Sequence, residues 1–249
     1  MKKWFSTVCL LLTAGLLTPF VPRARAADAP QTEELPAPAS VEPMTPYLDV
    51  TLDYSAAPDM KAWAENAVKV VQGWYPKIAL LLPSPGYTPP THVTIILRKD
   101  INVPAETGGG QMSLSVSWFK AHPDDVGALV HESVHVVQSY HSRGNPGWLV
   151  EGIADYIRWQ LYEPVPLPGP LNPDRVTYHD AYRTTAAFLA FVTDTHGVDV
   201  VTPLNAAMRE GRYKESLWKD LTGETLPQLG ADWIAALRAR PKTVRKPGG

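Results

Sequence analysis

The residues able to do chemistry gather in one stretch, His131-Glu132-Ser133-Val134-His135, with Glu151 and Asp155 following shortly after. On a helix of 3.6 residues per turn, side chains four apart lie one above the other on the same face. His131 and His135 can therefore present two imidazoles to one metal ion, with Glu132 beside them. That is the H-E-x-x-H arrangement of zinc hydrolases, in which the glutamate is the general base toward a zinc-activated water.

A catalytic zinc takes three protein ligands and keeps one position open. Two residues compete for the third place. His141 has the spacing of the longer H-E-x-x-H-x-x-G-x-x-H pattern. That pattern needs a glycine where Gln138 stands, and glutamine favours a continuing helix that would point His141 away. Glu151 is the stronger candidate. The helix-breaking run 142–147, rich in Gly, Asn and Pro, lets a second helix fold back and set Glu151 opposite the histidines. Asp155, one turn further on the same face, is placed to accept the second N–H of His131 or His135. Acids four apart also describe an ordinary solvated face. Here Trp148, Leu149, Ile153, Ala154, Tyr156 and Ile157 leave little polar face to share.

The segment His131-Glu132-x-x-His135-x-x-Gln138, followed by Trp148-Leu149-x-Glu151-Gly152-Ile153-Ala154-Asp155-Tyr156, resembles the basic secretory protein family, zinc-peptidase-like proteins of the gluzincin group. Tyr182-Arg183-Thr184-Thr185-Ala186-Ala187-Phe188-Leu189 is similar to that family's next helical segment. The resemblance implies an α+β, zincin-like fold and one Zn2+ per chain, with Glu151 as its third ligand. It implies peptide or protein substrates and Tyr182 as donor to the oxyanion of the tetrahedral intermediate. His179, three residues earlier on the same helix face, is the alternative donor. Substrate in such peptidases lies along a sheet edge beside the motif helix, and residues 111–117 are the expected edge. Two features depart from the family: an acidic rather than basic balance, and an N-terminus of bacterial character.

These residues must be held by a small sheet and a set of helices. Alternation of polar and apolar residues predicts strands at 47–54, 92–97 and 113–118, with a turn at the three glycines 108–110. Helical spacing of Trp63, Ala67, Val70 and Trp74 predicts a helix over 59–82, kinked or split at Pro76. The motif helix is expected from Pro123 to about Tyr140, with Val126, Val130, Val134 and Val137 as its buried stripe. Further helices are expected at about 148–161, 178–195, 198–210 and 226–238, with a proline-rich loop at 164–173.

The chain of 249 residues is long enough for one domain with a real core. Residues 1–26 read as a secretory signal peptide: Lys2 and Lys3, an apolar run from Val8 to Phe20, and the cleavage site Ala24-Arg25-Ala26. A secreted or periplasmic location is expected, with no stable membrane insertion once the signal is removed. Residues 27–46 read as a Pro/Ala-rich flexible leader, 47–239 as the metallopeptidase-like domain, and 240–249 as a basic flexible tail. Cys9 is the only cysteine and lies inside the signal, so the remaining chain has neither disulfide nor thiolate ligand. Cleavage would remove four basic residues and no acid, leaving 19 basic against 25 acidic residues. A chain of that sign has no general electrostatic reason to bind nucleic acid.

The expected function is hydrolysis of peptide bonds with Glu132 as general base. Two other readings use the same residues: a non-catalytic zinc-binding protein of the envelope or a host interface, and a hydrolase of non-peptide amides or esters. The oligomeric state is not legible. His92, His122 and His196 each have an ordinary local explanation and need no function.

Overall fold

A computed structural model describes residues 47–141, 144–164 and 171–240. The expected signal peptide, the leader and the tail beyond Arg240 lie outside the described residues. The rest is α+β, as expected. Strands β1 (Asp49–Asp53), β2 (His92–Arg98), β3 (Ala105–Gly108) and β4 (Gln111–Ser115) form a mixed sheet in the order β1-β2-β4-β3. β2 runs parallel to β1 and β4, and β3 is antiparallel to β4. Val93, Ile95 and Leu97 alternate along β2 and are fully buried, the pattern of a strand with one face on the core.

Helix α1 (Lys61–Leu81) packs beside the sheet and buries Ala64, Ala67, Val71, Tyr75 and Ile78. That stripe is turned from the expected one. Trp63 and Trp74 sit at its margin, where the Trp63 indole N–H reaches the Pro123 carbonyl (2.9 Å) and the Trp74 ring meets Tyr162 edge-on (5.1 Å). The helix also runs through Pro76, where a break was expected. Burial of Tyr75 and Ile78 on either side of the proline holds both halves against one core.

The strand expected at 113–118 lies earlier. β4 begins at Gln111 after a two-residue turn, Gly109-Gly110, whose φ angles of 58° and 79° favour glycine and close a hairpin with β3. It ends at Ser115, whose hydroxyl accepts the Trp118 amide (3.3 Å) and caps the short helix α2 (Val116–Ala121). β4 is consequently an interior strand. Among the described residues the edges of the sheet are β1 and β3, and the one beside the motif helix is β3, not residues 111–117.

The motif helix, α3 (Gly127–Gln138), starts four residues later than expected. Asp125 is held by the Trp118 indole (2.8 Å) and by the Arg158 guanidinium, which fixes it in the preceding turn. The helix stops at Gln138 because Ser139 turns left-handed (φ 37°). Its burial is not a stripe: every residue but His135 is buried, with α1, α4 and β3 packed around it. A helix apolar nearly all round belongs inside a core.

Helix α4 (Gly147–Tyr156) continues into a wider π turn (Ile157–Tyr162) and packs chiefly against α5 (Tyr182–His196). Gly152 permits that approach: a Cβ there would stand 2.1 Å from Thr185 Cγ2. Helices α6 (Val201–Arg209), α7 (Ser216–Thr222) and α8 (Leu226–Ala239) complete the chain, α7 being unexpected. Phe188 packs against Trp218 and Trp233 to make an aromatic core for this part. Among the described residues, no helix is long and apolar enough to cross a membrane.

Candidate metal centre

α3 places His131 and His135 one turn apart, their rings 4.8 Å between centroids and nearly perpendicular. α4 brings Glu151 to them. Its Oε2 lies 3.2 Å from His131 Nε2 and 3.3 Å from His135 Nε2, and the two Nε2 atoms are 3.1 Å apart. These three residues form a group able to hold a metal ion. His141 is exposed and lies outside that group. It is carried off by the left-handed turn at Ser139, not by a longer helix as the sequence suggested.

The second ring nitrogens fix the tautomers. Asp155 accepts from His131 Nδ1 at 2.7 Å, and a carboxylate can only accept, so the proton is on Nδ1. Gln138 accepts from His135 Nδ1 at 2.7 Å through Oε1, while its Nε2 donates to the Val150 carbonyl (3.1 Å) and thereby orients the amide. Both Nε2 atoms of the neutral rings then carry lone pairs and face a carboxylate oxygen. Three converging acceptors require a cation between them, a proton or a metal ion. The donor set therefore fits a metal, and the partners on Nδ1 are of the kind that orient metal-binding histidines.

The electrostatics show how strongly the site attracts that cation. Burial lowers the His131 pKa, but the carboxylates of Asp155 and Glu151 outweigh it and lift the value to about 9. Burial raises that of Glu151, and hydrogen bonds from His131 and His135 override it, bringing it to about 2. A bound metal would take the place of the proton that His131 and Glu151 otherwise share.

Glu132 is not one of the three. It is buried, and its Oε2 has no hydrogen-bond partner, although its backbone carbonyl accepts from the Thr107 hydroxyl (3.4 Å). An unpaired buried carboxylate oxygen is costly, and the residue that carries it lines a cavity of about 550 Å³, with His131, His135 and Glu151 on the same side and β3 on the other.

Tyr182, implied by resemblance, stands at this cavity, its ring near-parallel to that of His131 at 6.1 Å. The charge of Glu151, then burial, raises its pKa, so the phenol keeps its proton and can donate. His179 does not share its face. α5 begins at Tyr182 rather than 178, because the Thr177 amide bonds the Asp180 carboxylate (2.9 Å) and Ala181 and Tyr182 have positive φ. His179 lies in the turn before the helix, exposed, with its ring on Tyr178 (4.9 Å).

Sequence reasoning missed several contributors. Gln138 enters the sequence reading as a helix former and as part of the resembling segment, not as a partner of His135, although three residues apart is the spacing of neighbours on one face. Tyr87 and Arg209 hold the last turn of α3 by donating to the Val137 carbonyl (2.7 and 3.0 Å). Neither has a local sequence signal. β3, Arg158, Trp159 and Arg183 complete the cavity wall.

A mixed sheet beside a buried helix carrying two histidines, with a glutamate from the next helix completing the group, defines the class: an α+β protein with a cleft whose lining could hold one metal ion. The chain matches the family described as peptidase of plants and bacteria over residues 55–233, and it belongs to that family, the basic secretory protein family. No curated protein and no solved structure matches it.

Proposed function

We propose that this protein is a zinc metallopeptidase with a zincin-like fold, exported to the periplasm or beyond. One observation carries the reading. A three-acceptor cluster sits in the same cavity as a buried glutamate whose Oε2 has no partner. A purely structural metal would have no use for that carboxylate. Membership of a family described as peptidases supplies the substrate class, peptide or protein.

His131, His135 and Glu151 would hold the metal, and zinc there would supply Lewis acidity toward water and the substrate carbonyl. Glu132 then takes a proton from the attacking water and passes it to the leaving amine. Tyr182, kept protonated by the surrounding carboxylates, donates to the oxyanion. Asp155 and Gln138 keep the imidazoles in the tautomer that leaves Nε2 free. β3 offers its unpaired edge to an extended substrate, the role the sequence had suggested for residues 111–117.

The test is a mass-spectrometric cleavage assay on a mixed peptide library, using zinc-loaded protein from Ala27 onward and its Glu132→Gln variant. Cuts made only by the unmodified protein are expected, with one zinc bound to each variant. Hydrolysis by Glu132→Gln would overturn the mechanism. No cuts from either, with zinc bound, would favour a binding protein or a non-peptide substrate. Sequencing of the exported protein tests the location, with an N-terminus at Ala27 expected.

A further inference from the structure

Two guanidinium groups line the cavity, and they differ. Arg158 is committed: it pairs with Asp125 and donates to Glu163 through Nε (3.4 Å). Arg183 makes no hydrogen bond or ion pair among the described residues, and its Nε is buried without a partner. The group is nonetheless held in place. Its central carbon lies 3.7 Å from the centroid of the Trp159 ring, whose indole also takes Arg158 at 4.1 Å. Trp159 thus seats a guanidinium whose N–H donors remain unused among the described residues.

A buried, unpaired donor on a permanent cation is costly unless an anion arrives to meet it. Burial lowers the Arg183 pKa, and the charge of Asp155 only partly opposes this. The remaining charged groups of the wall, Glu106, Glu132, Glu151 and Asp155, are all acidic apart from the occupied Arg158. They disfavour an anion along the wall, so apart from the metal centre itself Arg183 is the group left to receive one. The planar fork of arginine matches a carboxylate with two parallel hydrogen bonds.

We infer that Arg183 is a specificity-determining residue that binds a carboxylate of the substrate close to the bond to be cut. The inference rests on the peptidase reading for the nature of the substrate. The carboxylate has two possible sources, the free C-terminus of a peptide or the side chain of an Asp or Glu, and the chemistry of recognition is the same.

The test separates this inference from that reading by measuring binding as well as cleavage. Zinc-loaded Glu132→Gln protein, with and without Arg183→Gln, is titrated calorimetrically with four peptides of one sequence. Two differ in a free or amidated C-terminus; two, both amidated, differ in Glu or Gln at one position. The unmodified protein is assayed for cleavage of the same four. Tighter binding of one carboxylate peptide over its neutral partner is expected, and the pair that shows it identifies the source. Arg183→Gln should cut that ratio by ~10–100-fold, the loss of a charge-assisted hydrogen bond. Arg183→Lys, which keeps the charge but not the fork, should retain part of it and serves if Arg183→Gln does not fold. A residue with only a structural role would weaken all four peptides alike and leave the ratio standing. Equal binding of carboxylate and neutral partners would overturn the inference even if all four are cut. A carboxylate preference without any cleavage would uphold it and overturn the peptidase reading.

Discussion

At the level of single residues, the centre depends on side chains that never touch substrate. Asp155 and Gln138 each hold one imidazole by its Nδ1–H, and such supports change metal affinity by ~10–100-fold when removed. Asp155→Asn is therefore expected to weaken zinc binding by about that factor in a chelator competition, with little change in the folded structure. Gln138→Leu should act in the same direction through His135. The metal-free protein should show a matching pH dependence. His131, raised from 6.5 to about 9, contributes stability that is complete below pH 6.5 and lost as pH rises through 9. Glu151, lowered from 4.5 to about 2, contributes stability that is complete above pH 4.5 and lost as pH falls through 2. Chelator-treated protein should accordingly gain most from this pair between about pH 4.5 and 6.5. Thermal melts across that range and beyond, compared with those of a His131→Asn variant, would read the loss on either side.

At the level of elements, the contact that decides the site is that of α4 with α5. Gly152 lies between Glu151 and the rest of α4, directly under Thr185. Gly152→Ala is expected to destabilise the protein by about 1–3 kcal/mol through overpacking and to displace Glu151. Adding Thr185→Ser removes the nearer clashing atom, Cγ2, and keeps the hydroxyl that donates to the Tyr178 carbonyl (2.8 Å), but leaves the Cβ of residue 185 in place, 2.7 Å from the added methyl. The double variant should regain part of the loss in denaturant unfolding. The close approach explains why the glycine follows the ligand, yet sequence alone gave no partner for it. The motif helix and its successor were legible because their residues act at short range: i and i+4 on one helix, a helix-breaking run, then acids four apart. β3 was not, since Ala105-Glu106-Thr107-Gly108 has no apolar alternation and is a strand only through its pairing with β4. The start of α5 was misplaced for a similar reason. Of residues 178–181 only Ala181 is a strong helix former, and side-chain bonds within 177–180 close a turn there that the sequence pattern did not reveal.

At the level of the molecule, sheet, motif helix and later helices share one core, and the predicted elements follow in the expected order, with β3, α2 and α7 added between them. Which strand forms the edge was not, because strand order is set by pairings distant in sequence. Beyond the expected signal the chain has no cysteine, so its stability owes nothing to covalent cross-links. Protein from Ala27 onward should melt at the same temperature with and without reductant, and a shift would point to an unforeseen redox-sensitive group.

The all-round burial of α3 divides the molecule into a part that cannot vary and a part that can. Nearly every position on that helix is closed in by neighbours, so a substitution there disturbs packing before it can tune chemistry. The opposite rim is built from the edge strand β3, whose side chains are half-buried or exposed and can be exchanged at little cost to the fold. Preference for one substrate over another can therefore drift between relatives, or be redirected by design, while the reactive centre stays as it is.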